Sequence, residues 1–138
     1  MLANRSMPQC TVIPELAYQD VGEAIDWLCK AFEFTLRLRI ANHRAQLNVG
    51  DGAVVLTGRR GEPAGEPAHS VMVRVEDVER HHARAVQGGA RILRPPTDHP
   101  YGERQYTAVD PGGHVWTFSQ SIADVAPENW GGTPGSVK

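Results

Sequence analysis

Apolar and polar side chains alternate along several stretches of this chain, and in two of them the period changes at an aspartate. Every second residue from Val71 to Val75 is valine, and this period of two predicts a half-buried strand. After Asp77 the apolar residues take the spacing of a helix, and Gly88-Gly89 predicts its end. The predicted helix buries one side, formed by Val78, His82, Ala85 and Val86.

The same arrangement occurs once earlier in the chain. A strand predicted over residues 11–18 leads to Asp20, and helix-spaced apolar residues follow it. Each aspartate stands where its carboxylate can accept hydrogen bonds from the first turn of a helix. Because Asp20 and Asp77 are 57 residues apart, near half the chain length, we interpret the sequence as two similar halves.

Each half also contains three further stretches that are typical of strands. In the first half they span residues 35–40, 43–49 and 53–57. In the second half they span residues 90–93, 104–109 and 114–119. Between these strands, residues 50–52 are predicted to form a hairpin turn and residues 110–113 another turn. Pro95-Pro96 should end the strand before them, and residues 97–103 are predicted to be a loop.

The sequence therefore predicts an α+β fold of two tandem βαβββ repeats, which form a curved mixed sheet with helices on its convex face. A chain of 138 residues is expected to be one domain with one core. Residues 1–9 are predicted to be a loose leader. We expect repeat one at about 11–57, a linker at 58–68, repeat two at about 69–119 and a tail at 120–138.

Side chains that alternate away from the helices should share the concave face of the sheet. This face would be polar and mixed, which is typical of a pocket or a wet interface rather than a core. The expected ligand-binding residues on it are Glu15, Arg37, Arg39, Gln46, Asn48, Met72, Arg74, Gln105 and Thr107, with Tyr101 as a lid. The arginines suit a carboxylate, a phosphate or an electron-rich aromatic ring. Alternatively, Arg37 and Arg39 lie on the rim and pair with acids of a partner subunit, and Tyr101 lies in an ordinary turn.

Composition narrows the classes of function. The formal net charge is −2 and the sequence has no basic stripe, so we expect no nucleic-acid partner. No apolar run approaches the roughly 20 residues of a membrane span, so we expect no membrane partner. Cys10 and Cys29 have no metal-ligand spacing, and we expect reduced, structural thiols in the cytoplasm.

Three segments together resemble the glyoxalase / bleomycin-resistance / extradiol-dioxygenase superfamily, also called vicinal oxygen chelate proteins. They are AYQDVGEAIDWLCKAFEF, then HSVMVRVEDV with the later AVQGGARI, and YGERQYTAVDPGGHVWTFS. The resemblance covers about residues 11–120. The chain departs from the family at Glu33, where a glycine often follows the first helix.

The resemblance implies a divalent metal held by side chains from the first and fourth strand of each half. The matching positions here are Ile13, Leu56, Ser70 and Thr117. Ile and Leu cannot coordinate an ion, and hydroxyl groups alone bind one weakly. A register shift by one residue would supply a single imidazole, that of His69. We therefore expect no metal and no other cofactor.

The remaining histidines have ordinary interpretations. His69 is expected at a strand edge, and His114 is expected to stabilise the turn before the last strand. His81 and His82 are adjacent on a helix, point about 100° apart, and should be solvated or half-buried. His99 is expected to be exposed.

Three functions remain open. The first is a metal-independent homodimer that binds a small molecule at the subunit junction, and possible ligands are an antibiotic or another aromatic or anionic metabolite. Bleomycin itself is cationic, so the arginines disfavour that drug. The second is a divergent lyase, isomerase or dioxygenase, with Glu15 as general base and Arg74 stabilising an oxyanion. The third is a structural or regulatory dimer module.

Overall fold

The computed structural model describes residues 3–59 and 69–133. The predicted linker, apart from its first two residues, lies outside the described residues, as does the end of the predicted tail.

The first half folds as one βαβββ unit. Its elements are β1 (Glu15–Tyr18), α1 (Val21–Phe32), β2 (Thr35–Ile40), β3 (Arg44–Val49) and β4 (Gly52–Gly58). The Asp20 carboxylate accepts a hydrogen bond from the backbone N–H of Glu23 at 2.9 Å, so it caps α1 as predicted. The strands form one sheet in the order β1-β4-β3-β2, in which β1 runs parallel to β4.

The second half repeats this topology. Its elements are β5 (Val71–Arg74), α2 (Val78–Gln87), β6 (Arg91–Asp98), β7 (Glu103–Val109) and β8 (Val115–Ser121). Asp77 caps α2 through the backbone N–H of Arg80 at 3.1 Å. The strand order is β5-β8-β7-β6, and a short 3-10 helix, Pro127–Trp130, follows. The α+β class with two tandem βαβββ repeats is confirmed, and the eight strands divide between two four-stranded sheets.

One hydrophobic core joins the two halves. Phe32, at the end of α1, packs edge-on against Trp116 and Phe118 of β8. Both of those side chains are fully buried. Each sheet therefore turns its helix-covered face toward this core, and we call the opposite face of each sheet its helix-free face.

Two strands differ from their predicted bounds by more than two residues. β1 begins only at Glu15, and β6 continues through Pro95 and Pro96 to Asp98. The prediction that the two prolines close this strand was wrong, because β6 lies at the edge of its sheet. A missing N–H costs no ladder hydrogen bond on the outer side of an edge strand.

Helix α2 buries a different side from the predicted one. Its buried residues are Val78, His81 and Ala85, whereas Val86 is 49% exposed and His82 is half-buried. Both ring nitrogens of His81 are bonded, one to the Tyr106 hydroxyl and the other to the carbonyl of Phe32 at 3.2 Å. These two partners allow a polar ring to enter the core, which the apolar pattern could not reveal.

Glu33 ends α1 in the left-handed conformation, with φ of 64°. A non-glycine residue there is strained, which accounts for the glycine that the superfamily often has at this point. We expect the Glu33→Gly variant to exceed Glu33→Ala in free energy of unfolding by about 1 kcal/mol, since both lose the same carboxylate but only alanine keeps the strain. Urea titration measures the difference.

The exposed helical residue Ala83 provides the control for this comparison. There glycine should be less stable than alanine by about 1 kcal/mol, the ordinary order for a helix interior. An alanine variant at Glu33 that matched or exceeded the glycine variant would contradict the assigned backbone conformation.

Candidate functional site

The helix-free faces of the two sheets carry different groups of the predicted ligand-binding residues. Residues paired directly across neighbouring strands share a face. On the first sheet Glu15 pairs with Val55, and Val55 with Gln46. On the second sheet Arg74 pairs with Ser119, and Ser119 with Gln105. The first group comprises Glu15, Arg37, Gln46 and Asn48, and the second comprises Met72, Arg74, Tyr101, Gln105 and Thr107.

Arg39 belongs to neither group. A bulge between Leu36 and Leu38 inserts one residue into β2, so Arg39 pairs with Ala45 on the helix-covered face. Its guanidinium donates to the side chain of Asn42 at 3.2 Å, beside the start of α1. The strict alternation that placed Arg39 on the concave side was wrong, and Leu38 and Ile40 take the helix-free face instead.

The helix-free face of the first sheet is partly covered by the chain's own N-terminal segment. Arg37 donates to the carbonyls of Arg5 and Met7, and Gln46 donates to the carbonyl of Ser6. Pro8 is buried. The prediction of a loose leader was therefore wrong for these residues. Elsewhere on this face Glu15 forms an ion pair with Arg44 at 3.2 Å, and Asn48 donates to Thr35 at 3.1 Å.

A chain of hydrogen bonds crosses the helix-free face of the second sheet. The Tyr101 hydroxyl donates to the Gln105 side-chain oxygen at 3.2 Å, and the Gln105 amide donates to the Ser119 hydroxyl at 3.0 Å. Ser119 in turn donates to the Glu103 carboxylate at 2.7 Å. Hydrogen bonds from Ser121 and Ser119 hold the pKa of Glu103 below its usual value, so this carboxylate is ionised at neutral pH.

Arg74 lies beside this chain with its guanidinium available. Within residues 3–59 and 69–133 it forms no ion pair and no hydrogen bond. Its charge contributes to the lowered pKa of Glu103, and it is exposed. Next to it Met72 is 63% exposed, and Thr107 and Thr117 are hydrogen-bonded to each other at 3.1 Å. This face therefore presents the exposed cation of Arg74, polar groups that are already hydrogen-bonded to each other, and the apolar side chain of Met72.

Glu103 also lies on this face, where the alternation that selects Gln105 and Thr107 places it, although it was not among the expected ligand-binding residues. Trp130 was the one residue of the tail expected to pack on the body of the protein or on a partner, but no periodicity indicated where. In the structure its ring lies 5.4 Å from the ring of Tyr101, and Tyr101 stacks on His99 at 5.1 Å. His99 is half-buried rather than exposed. The backbone N–H of His114 bonds to Asp110 within the turn, whereas its imidazole pairs with the carbonyl of Ala17 on β1 at 2.7 Å, so the side chain joins the turn to the first half.

The residues at the superfamily's metal positions do not form a ligand set. Ser70 is exposed before β5, Thr117 is bonded to Thr107, and Ile13 is an alkyl side chain. Leu56 is fully buried in the core on the helix-covered face, so its assignment to the concave side was wrong. The residues of β4 on the helix-free face are Ala53, Val55 and Thr57. In the described part of the chain no three His, Cys, Asp or Glu side chains gather as a metal-binding group. The donors present do not fit the superfamily's divalent ion.

The suggested catalytic residues Glu15 and Arg74 form no ion pair with each other within the described residues. Glu15 and Arg74 lie on different sheets, and Glu15 is already paired with Arg44. A cleft of about 480 Å³ lies between the free edge of β5 and the first half of the chain, and its lining includes Met72 and Arg74 of β5 as well as Val12 and residues 49–54 of the first half. Val12 is 78% exposed. The exposed apolar side chains at this edge make it suitable for contact with another molecule.

Comparison with known proteins places this fold in a family. The family described as Glyoxalase/Bleomycin resistance protein/Dioxygenase superfamily matches residues 8–118, and the chain belongs to it. Among solved structures, TioX from Micromonospora sp. ML1 is 35% identical, with a TM-score of 0.71, over 82% of this chain and 99% of that one. The fosfomycin resistance protein FosX from Mesorhizobium loti is 19% identical, with a TM-score of 0.64, over 83% and 93%. An uncharacterised protein of Mycobacterium bovis is 28% identical over 81% of this chain and 84% of its own length.

Among the helices in the described ranges, none is long and apolar enough to cross a membrane.

Proposed function

We propose that this protein binds a small aromatic anion, without a metal, on the helix-free face of the second sheet. The observation that carries the proposal is the exposed Arg74 guanidinium, which has no ion-pair partner in the described residues and stands beside satisfied polar groups. A planar guanidinium binds a carboxylate through two parallel hydrogen bonds. The nearby ring of Tyr101 and the exposed Met72 supply surfaces for the flat, apolar part of such a ligand.

The charges on this face favour binding over catalysis. Glu103 is the carboxylate nearest to the proposed ligand, and its lowered pKa makes it a weak base at neutral pH. Its oxygens already accept hydrogen bonds from serine hydroxyls. It therefore orients Ser119 and, through Ser119, the amide of Gln105. Because these polar side chains are already held in place, ligand binding requires little free energy to reorganise them.

We further propose that the working protein is a cytoplasmic homodimer in which a second copy closes the binding cleft. The cleft along the free edge of β5 supports this, because it exposes Val12 and Met72 beside Arg74. The free thiols Cys10 and Cys29 are consistent with a reducing compartment. An antibiotic as ligand, and resistance by sequestration, follow from the superfamily resemblance and form the most specific part of the proposal.

The test is calorimetric titration with 2-naphthoate, a planar aromatic carboxylate. We expect Arg74→Gln to weaken its binding about 10-fold to 100-fold, the usual loss when one charge-assisted pair of hydrogen bonds is removed. We expect EDTA to leave the affinity unchanged, and 2-naphthalenemethanol, which lacks the charge, to bind far more weakly.

Arg80→Gln is the matched control, because it removes the same charge from an exposed arginine on α2 that is paired with Glu33. It should change the affinity for 2-naphthoate less than about twofold. Equal losses in the two variants would assign the effect to net charge, and loss of binding in EDTA would assign it to a metal. Either result refutes the proposed site.

A further inference from the structure

The hydrogen bonds from Arg37 and Gln46 that hold the N-terminal segment on the first sheet all go to its backbone carbonyls. Arg37 donates to the carbonyl oxygens of Arg5 and Met7, both at 3.0 Å. Between them, Gln46 donates to the carbonyl oxygen of Ser6 at 2.9 Å. Three consecutive carbonyls therefore meet three donors that all belong to two side chains.

These donors are set in place by the sheet. The guanidinium of Arg37 also donates to the side-chain oxygen of Gln46, which directs the amide N–H groups of Gln46 outward. Gln46 is 5% exposed and lies on a central strand. The bulge in β2 brings Arg37 to the same face as Gln46, so the hydrogen bond between their side chains orients both groups toward the segment.

The side chains of the held segment contribute little to its recognition. Arg5 and Ser6 are exposed, and Met7 is 44% exposed. Only Pro8, the next residue, is buried. A cleft of about 230 Å³ continues beyond it and is lined in part by Cys10, Arg37 and Asn48. The hydrogen bonds on this face are thus made to amide carbonyls, Pro8 adds a buried apolar contact, and the cleft leaves room beside them.

We propose that the helix-free face of the first sheet is a binding site for extended, amide-rich molecules such as short peptides, and that residues 5–8 occupy it as an internal ligand. An external ligand competes with this segment for Arg37 and Gln46. A tethered segment acts at an effective concentration in the millimolar range, so a weak external ligand must reach that range to displace it. The site uses none of the residues that bind 2-naphthoate in the function proposed above.

The first experiment measures trypsin cleavage after Arg5 in the native full chain, with the fragments identified by mass spectrometry. The carbonyl of the bond that trypsin cleaves is that of Arg5, which accepts a hydrogen bond from Arg37, so a segment bound to the sheet is protected from cleavage. We expect Arg37→Gln to accelerate this cleavage about 10-fold or more, the factor expected when about 1.4 kcal/mol of seating free energy is lost. Arg44→Gln, on the same face but bonded to Glu15, should change it less than about twofold. Equal rates in all three proteins would overturn the proposal.

The second experiment uses the wild-type chain and so does not depend on how a variant folds. Acetyl-Ser-Met-Pro-amide reproduces the three carbonyls and offers trypsin no cleavage site. At about 10 mM, above the effective concentration of the tethered segment, it should accelerate cleavage after Arg5 at least about threefold. An analogue with alkene bonds in place of the amides should have no effect, and neither should 2-naphthoate. If the tripeptide leaves the cleavage rate unchanged while Arg37→Gln raises it, the face binds only the chain's own residues 5–8, and the proposed class of external ligand is refuted.

Discussion

Replacing Asp110 by alanine is expected to lower the free energy of unfolding by about 3–5 kcal/mol, because it leaves several buried donors without an acceptor. One carboxylate oxygen of Asp110 accepts from the Tyr18 hydroxyl and from the Trp116 indole at 3.0 Å. The other accepts from the backbone N–H groups of Gly112 and His114, at 2.9 and 3.0 Å. Asp110 is 3% exposed, so water does not readily replace it.

A double-mutant cycle with Tyr18→Phe measures how much of this loss comes from the hydrogen bond between Tyr18 and Asp110, which connects the two halves. Tyr18 lies on β1, whereas Asp110 lies in the turn before β8. In the wild type, loss of the hydroxyl should cost about 1–2 kcal/mol, and in the Asp110→Ala background it should be nearly neutral. Asp124→Ala, at an exposed position, should stay within about 0.5 kcal/mol of wild type. Additive losses at Asp110 and Tyr18 would show that the two side chains do not act together.

This network also raises the pKa of Tyr18. Burial contributes most, followed by the charge of Asp110 and its hydrogen bond, while Arg59 acts in the opposite direction. The phenol is therefore protonated at neutral pH and can donate its hydrogen bond to Asp110. Through the hydrogen bond from Tyr18, Asp110 connects the turn of the second half to the first strand of the first half.

The fold could be predicted from the sequence because its signals are local. The period changes at Asp20 and Asp77 placed both helices, and the structure confirms both caps. The turn at Asp110 was equally visible. Its bond to Tyr18 was not, because the two residues are 92 positions apart and no periodicity connects them.

The candidate site was only partly predictable, for a related reason. Alternation correctly grouped Arg74 with Gln105, since the β5–β8–β7 register is regular there. It failed at Arg39, where one bulged residue inverts every later position of β2. The site of the N-terminal segment and the contact that Trp130 makes with Tyr101 were not predictable, because backbone carbonyls and an isolated aromatic ring leave no repeating pattern.

Lowering the pH from about 7 to 5 is expected to destabilise the protein through His81, by up to about 1.4 kcal/mol for each pH unit. Burial is the main cause that lowers the pKa of this imidazole from its ordinary value of 6.5, and the nearby Arg80 and Arg84 act in the same direction. The hydrogen bond with the Phe32 carbonyl and the charge of Glu33 oppose the shift. Below pH 6.5 the unfolded chain binds a proton that the folded chain excludes, so the stability present above that pH is lost as the pH falls.

The hydrogen bonds of His81 also predict that the folded protein loses stability when this imidazole is protonated. In the neutral ring Nε2 donates to the Phe32 carbonyl and Nδ1 accepts from the Tyr106 hydroxyl, whereas a protonated Nδ1 could no longer accept. Urea titrations across this pH range should show a smaller slope of stability with pH in His81→Gln than in wild type. His82→Gln removes the neighbouring half-buried imidazole and leaves these two bonds intact, so it should keep the wild-type slope. If the slope disappears in His82→Gln and persists in His81→Gln, the buried imidazole is not the titrating group.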